Sequence, residues 1–213
     1  MSNLQKLSVI ESQETASLRE RMSSAGCVFE FVVLAVEPEL SVDEALHRQA
    51  LMAMYEQIMV SQHEWRQSLI RLRPDGIDRI PPLTWKLDQA VATPLDWAKV
   101  LDPSMTLSPR LSGSTLFNAF RDPPYGIRLA EEAALELFKE WLALLGFDVR
   151  DDIVVLNWVD GLQTDRDRAE GILGPTPWSN YFEAGLEWWG VWCLTIWNPR
   201  RRTLSALVAS ATD

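Results

Sequence analysis

The pattern of apolar positions predicts two long amphipathic helices. In the first, apolar residues recur every three or four positions, at Leu46, Ala50, Ala53, Met54 and Ile58. The second repeats this spacing at Ala134, Phe138, Trp141 and Leu145. Ser41 and Glu44 have the spacing of a capping box, so the first helix is predicted to run from there to about His63. The second is predicted to begin at Glu131 and to end before Gly146.

Continuous apolar runs predict strands that are covered on both faces. Residues 27–36, apolar apart from Glu30, and residues 153–158 are such runs, and a further strand is predicted at 67–72. A short helix is predicted around residues 15–23. This order of elements indicates an α+β fold, with a mostly antiparallel sheet and helices packed on one side.

The C-terminal segment is rich in tryptophan. Residues 178–213 contain five of the ten tryptophans, and aromatic and β-branched residues favour strands. We predict a Trp-rich β-hairpin with arms at 188–197 and 203–210 and a basic tip at 198–202. Most of its rings are expected in the core, with one or two available to a protein partner. The arginines of the tip are expected to be solvated and to guard the strand edges.

Residues 74–124 interrupt this regular pattern. They hold eight of the twelve prolines, which excludes long helices and central strands. Short helical turns are expected at 96–101 and 114–120. A linker between two lobes and a packed wrap are both compatible with the composition, and the apolar content favours a wrap within a single domain of residues 1–213.

Composition is typical of a globular protein of the cytoplasm. The apolar fraction is 47%, and no window is long and apolar enough for a membrane span. The N-terminal residues lack the apolar core of a secretory signal. Cys27 and Cys193 are too few for a disulfide framework, and each lies in an apolar run that predicts a buried free thiol.

The chain carries a net charge of −10, and all of the imbalance lies before Trp178. A surface of this sign repels nucleic acid and anionic membranes, and it attracts basic proteins. Solubility alone is an equally open explanation of the acidic charge.

We find no pattern of a known catalytic, nucleotide-binding or metal site. His47 and His63 lie sixteen residues apart on one predicted helix, so they cannot share a site. Asp43, Glu44 and His47 have helical spacing, but such a set is frequent by chance. We therefore predict no catalytic residues, no metal and no cofactor.

Residues 178–213 resemble a known protein family. The run from Tyr181 to Gly190, followed by a strand, an Asn-Pro turn and a strand of small residues, is similar to the immunity protein 52 family of bacterial polymorphic-toxin systems. The similarity is indistinct before residue 178. The motif residues are expected to be structural: Tyr181, Gly185, Trp188, Trp189 and Gly190.

The resemblance implies a cytoplasmic immunity protein without enzymatic activity. Such a protein binds a cognate toxin, here a type VI secretion effector with a DNase domain, and blocks its active site or its DNA groove. The charge agrees with this independently, because a nuclease carries a basic surface that holds phosphates and attracts an acidic inhibitor. Neither nucleic acid nor a membrane is expected as a partner, and the sequence does not decide the oligomeric state.

The charged segment after Trp158 is the candidate for the partner-binding surface. Its acids are expected to be exposed: Asp160, Asp165, Asp167 and Glu170. An ordinary solvated loop is the alternative for this segment. Two other functions stay open, a hydrolase with acids of strongly shifted pKa in a deep pocket, and an adaptor subunit with exposed tryptophans.

Overall fold

The computed structural model describes residues 7–72, 81–96, 116–148, 152–163, 165–187 and 189–211. Within these residues, six strands form one antiparallel sheet in the order β1-β2-β6-β5-β4-β3. The strands are β1 Leu7–Val9, β2 Glu30–Val36, β3 Thr93–Leu95, β4 Val154–Asn157, β5 Val191–Asn198 and β6 Thr203–Ser210. The predicted antiparallel sheet and C-terminal hairpin are therefore confirmed.

Five α-helices accompany the sheet in the described part of the chain. They are α1 Gln13–Ala25, α2 Glu44–Leu72, α3 Leu116–Arg121, α4 Glu131–Leu145 and α5 Asp165–Ala169. The same described residues also form 3-10 turns at Leu87–Gln89, Asn180–Phe182 and Ala184–Leu186. Helix α4 ends as predicted at Gly146, whose φ of 99° closes the last turn. None of the described helices has the length and apolar character that crossing a membrane requires.

Helix α2 differs from its prediction at both ends. Its N-terminal cap is Asp43 rather than Ser41, because the Asp43 carboxylate accepts a hydrogen bond of 3.0 Å from the Leu46 amide. The strand predicted at 67–72 is wrong, since α2 continues to Leu72. Gln67, Arg71 and the leucines of this segment are good helix formers, and no turn residue separates them from the helix before.

Helices cover both faces of the sheet, so the prediction of helices on one side is wrong. On one face, Trp192 and Leu194 of β5 belong to a core formed with α1, α3 and α4. On the other face, Cys193 and Trp197 belong to a core formed with α2. The physical reason is that β5 is apolar at consecutive positions, and a strand of this kind excludes water from both sides only when both are covered.

The C-terminal hairpin lies at the centre of the sheet, with β2 and β4 on its two sides. Its arginine tip therefore guards no sheet edge, and that interpretation is wrong. Arg201 donates to Asp148 at 2.9 Å and to a carbonyl near the end of α4. Arg202 donates to the Leu40 carbonyl at 3.1 Å, before α2. The guanidinium groups thus attach the tip to two neighbouring segments.

The described parts of the proline-rich segment pack against the rest of the fold. Strand β3 pairs with β4 at the sheet edge. Pro94 lacks an amide hydrogen and is tolerated there because one side of an edge strand forms no ladder hydrogen bonds. The Trp85 ring lies 4.7 Å from that of Trp178 and 5.5 Å from that of Tyr55. The helical turn predicted at 114–120 is observed as α3, and residues 97–101 of the other predicted turn lie outside the described residues.

Candidate functional site

The charged segment after Trp158 contains the short helix α5. Asp160, Asp165 and Glu170 are exposed, as expected. The exposure expected for Asp167 is wrong, because this residue is only 6% exposed. The chain folds back at this point, where the Ile172 amide donates to the Asp167 carbonyl at 2.8 Å. The role of Asp160, Asp165, Asp167 and Glu170 in binding a partner stays a prediction.

The charge of this segment is also partly neutralised. Arg168 lies one turn after Asp165 and forms an ion pair with it at 2.9 Å. Both side chains are more than half exposed, so the pair adds little stability. The pair does reduce the negative electrostatic potential at α5. A basic partner is therefore attracted to this segment less strongly than its acids alone would indicate.

The motif that carries the family resemblance joins the 3-10 turns to the central hairpin. The Gly185 amide donates to Ser210 Oγ at 2.9 Å, and the Gly190 amide donates to the Gly185 carbonyl at 2.7 Å. The Trp189 indole donates at 2.9 Å to a carbonyl in the loop after α3. Trp188 lies outside the described residues. The described members of the motif therefore make contacts within the fold.

His47 lies in the first turn of α2 and is buried in the core. Its Nδ1 is 2.7 Å from Thr195 Oγ1, which also accepts a hydrogen bond of 2.8 Å from the Trp158 indole. Burial lowers the pKa of His47 to about 4, against the opposing effect of Asp43. The imidazole is therefore neutral at neutral pH. In the described ranges, no cluster of three or more possible metal ligands is formed.

We expect acid to destabilise the fold through His47. The unfolded histidine titrates at about 6.5 and the folded one at about 4, so the unfolded chain binds more protons between these values. The contribution of His47 to stability is complete above the unfolded pKa and is lost as the pH falls toward the folded one. Urea denaturation at about pH 7 and about pH 5 measures how far the free energy of unfolding falls between the two pH values. This decrease should be smaller in His47→Gln than in the wild type, by on the order of 2 kcal/mol.

The matched control is His63→Gln, which changes an exposed histidine on the same helix. This variant should keep the pH dependence of the wild-type chain. An equal loss of stability in the wild type and in His47→Gln would show that His47 does not titrate in this way.

A cleft of about 500 Å³ opens beside the start of β2, between α1 and α2. Glu30 lines it, and burial raises the pKa of this carboxyl, while Arg19 and a hydrogen bond from Tyr181 oppose the rise. Burial also raises the pKa of Tyr181 well above its ordinary value. Arg19 in turn donates to Glu11 at 2.8 Å and to Gln57 at 3.2 Å. Arg19 is thus held by Glu11 and Gln57, while its Nε is buried without a hydrogen-bond partner in the described structure.

Few side chains of this cleft could act as a nucleophile or as a general acid or base. Cys27 also lines it, but burial raises the pKa of its thiol to about 12, so the thiolate that a nucleophile requires is scarce at neutral pH. The hydrolase alternative therefore rests on Glu30. The sequence signal was its place as the one polar residue of an apolar run.

Helices α1 and α4 display a second group of acids, which sequence reasoning missed. Arg21 and Glu140 join the helices through two hydrogen bonds, one of 2.9 Å, and this contact lowers the pKa of Glu140. Glu14, Glu20 and Glu136 are exposed nearby and form no ion pair within the described residues. The available signal was the placement of these acids outside the buried apolar stripe of each helix.

Comparison of the chain with known family models, with curated proteins and with solved structures found no match. The resemblance of residues 178–213 to the immunity protein 52 family accordingly stays a prediction. What the protein does is inferred from the charge and the contacts of its own surface.

Proposed function

We propose that this protein is a cytoplasmic immunity protein, which binds and neutralises a basic toxin domain without catalysing a reaction. The toxin class that the resemblance implies is a nuclease effector of type VI secretion. The single observation that carries the proposal is the net charge of −10, together with exposed carboxylates on α1 and α4 that no described cation pairs.

Electrostatics gives this surface a role in recognition. A domain that binds nucleic acid concentrates lysine and arginine where it meets phosphates. An acidic protein is steered to such a surface, which raises the association rate and penalises partners of like charge. Glu14, Glu20 and Glu136 stand on two helices of the folded core, so little backbone ordering is needed when they bind.

The described tryptophans of the hairpin segment lie in the core and not on the surface. Trp189, Trp192 and Trp197 are all buried. Trp65 on α2 is half exposed and is the most exposed of the described tryptophans. The adaptor alternative relies on exposed tryptophans, and the described part of the hairpin does not supply them. The acidic helical surface is therefore the stronger candidate for contact with a partner.

Co-expression of this chain with a cognate toxin, sought first among the products of adjacent genes, should rescue cell survival and yield a one-to-one complex. We expect full protection only at one equivalent of this chain, because binding rather than turnover neutralises the toxin. Affinity should fall by on the order of tenfold between low and high salt, since exposed charges are screened. Titration of toxin activity and calorimetry at two salt concentrations measure these quantities.

Three results would contradict the proposal. Killing despite soluble expression would remove the antidote function for that pair. Salt-independent affinity would remove the electrostatic basis of binding. Protection at far less than one equivalent would instead favour the hydrolase alternative and direct attention to Glu30.

A further inference from the structure

We propose that the groove between α1 and α4 is a docking site for a basic amphipathic helix of the partner. The inference rests on the proposed function and deepens it by assigning the surface and the chemistry of the segment that binds there.

The groove consists of two depressions on either side of the Arg21–Glu140 pair. One, of about 550 Å³, is lined by the N-terminal part of α1 and by Leu144. The other, of about 570 Å³, is lined by the C-terminal part of α1 and by Leu137. The two helices therefore run antiparallel. Leu137 and Leu144 are two helical turns apart, about 10 Å, so a bound helix would place anchor side chains seven residues apart.

The floor of the groove is apolar and its rim is acidic. Ala133 is exposed and Leu129 and Leu144 are partly exposed, so these three residues give the floor its accessible apolar surface. Leu18, Ala25 and Leu137 also line the groove, and they are already buried in the core. Glu14 lines the first depression, and Glu20 lines the second. This arrangement matches a helix with one apolar stripe, because the stripe meets the floor while flanking side chains reach the rim.

The charge of the rim selects a cationic occupant. Its two arginines are already engaged, Arg21 with Glu140 and Arg201 with Asp148. Glu14, Glu20 and Glu136 have no such cation within the described residues, so lysine or arginine from a partner would supply the missing charge. A neutral or acidic helix would gain the same apolar contact without this attraction. A second copy of this chain, with the same net charge, is disfavoured for that reason.

The first test uses a labelled amphipathic peptide with a leucine stripe flanked by lysines, of about the length of α4. Fluorescence anisotropy should show that it binds the full chain, and that a peptide with glutamates in place of the lysines does not. Glu20→Lys combined with Glu136→Lys should weaken binding by about tenfold or more. The matched control, Glu56→Lys with Glu64→Lys, changes two exposed acids of α2 on the other face of the sheet and should change binding by less than about twofold.

A second variant tests the shape of the groove independently of its charge. Ser24 is exposed and lines the second depression, so Ser24→Trp should fill it and weaken binding of the lysine peptide while the net charge stays the same. Equal binding of the two peptides would overturn the proposal. So would binding that the groove variants leave unchanged.

The same variants separate this inference from the proposed function. If the toxin complex keeps its affinity with Glu20→Lys and Glu136→Lys, the groove assignment fails while the immunity function stands. If the wild-type chain binds the lysine peptide in the groove but does not protect cells, the immunity function fails while the groove assignment stands.

Discussion

Trp141→Ala should lower the free energy of unfolding by about 3–5 kcal/mol, the range for truncating a large buried aromatic residue. The side chain is 0% exposed. Its ring lies 5.1 Å from that of Phe29, 5.5 Å from Phe120 and 6.0 Å from Phe138. The substitution therefore leaves a cavity where α4 meets the sheet and α3. Urea denaturation followed by circular dichroism measures the loss.

A second substitution separates the volume of this side chain from its polarity. The Trp141 indole nitrogen is buried and has no hydrogen-bond partner in the described structure. Trp141→Phe keeps most of the packing and removes this unpaired donor, so it should cost only about 1 kcal/mol. Trp65→Ala is the exposed control and should cost less than about 1 kcal/mol. Equal losses in Trp141→Ala and Trp141→Phe would contradict this account.

The local spacing of apolar residues was sufficient to predict the elements that bury a single apolar stripe or form the C-terminal hairpin. The stripe predicted for the helix at 131–145, from Ala134 to Leu145, is buried, and the C-terminal hairpin has the predicted strands. In each case the information lies within about fifteen consecutive residues, where side-chain spacing sets which face is buried.

The arrangement of elements depended on contacts between distant residues. Whether helices cover one face or both is decided by tertiary packing, although the apolar positions on both sides of β5 indicated that both needed cover. The burial of His47 had a local signal, its place on the same stripe as Ala50 and Met54. Its partner Thr195 is 148 residues away, which no spacing rule indicates.

The candidate site also combines features that have a local sequence signal with features that depend on contacts between distant residues. Net charge and the acids of single segments were visible in the sequence, so an acidic surface was predicted in kind. The group of acids that α1 and α4 bring together was not predicted, because Arg21 and Glu140 lie 119 residues apart and meet only in the folded protein. Asp167 shows the opposite error, since a charged segment predicted as exposed places one of its acids inside.

Gly185→Ala should be the most damaging single-methyl change in the C-terminal motif. A Cβ added at Gly185 would lie 2.1 Å from the Gly190 carbonyl oxygen and 2.8 Å from Ser210 Oγ. The nearest atom belongs to the backbone, so relief requires the turn and the start of β5 to separate, which breaks the hydrogen bond from the Gly190 amide to the Gly185 carbonyl. We expect a loss of about 3 kcal/mol or more in urea denaturation.

Gly171→Asn is the matched control for this substitution. A Cβ at Gly171 meets no atom within 4 Å, and its φ of 72° is one that asparagine adopts readily. Its cost should stay below about 1 kcal/mol. Should Gly185→Ala not fold, Ser210→Ala tests the same junction, because it removes only the acceptor of the Gly185 amide and should cost about 1 kcal/mol.

These variants also decide what the motif contributes to function. Gly185 lies at the junction of the 3-10 turns with β6, whereas the proposed docking groove is formed by α1 and α4. A folded Ser210→Ala chain should therefore lose stability and keep its affinity for the toxin, while Glu20→Lys with Glu136→Lys should do the reverse. Loss of affinity in Ser210→Ala at full folding would place the motif in the partner interface, and the family resemblance would then mark a binding surface rather than a structural junction.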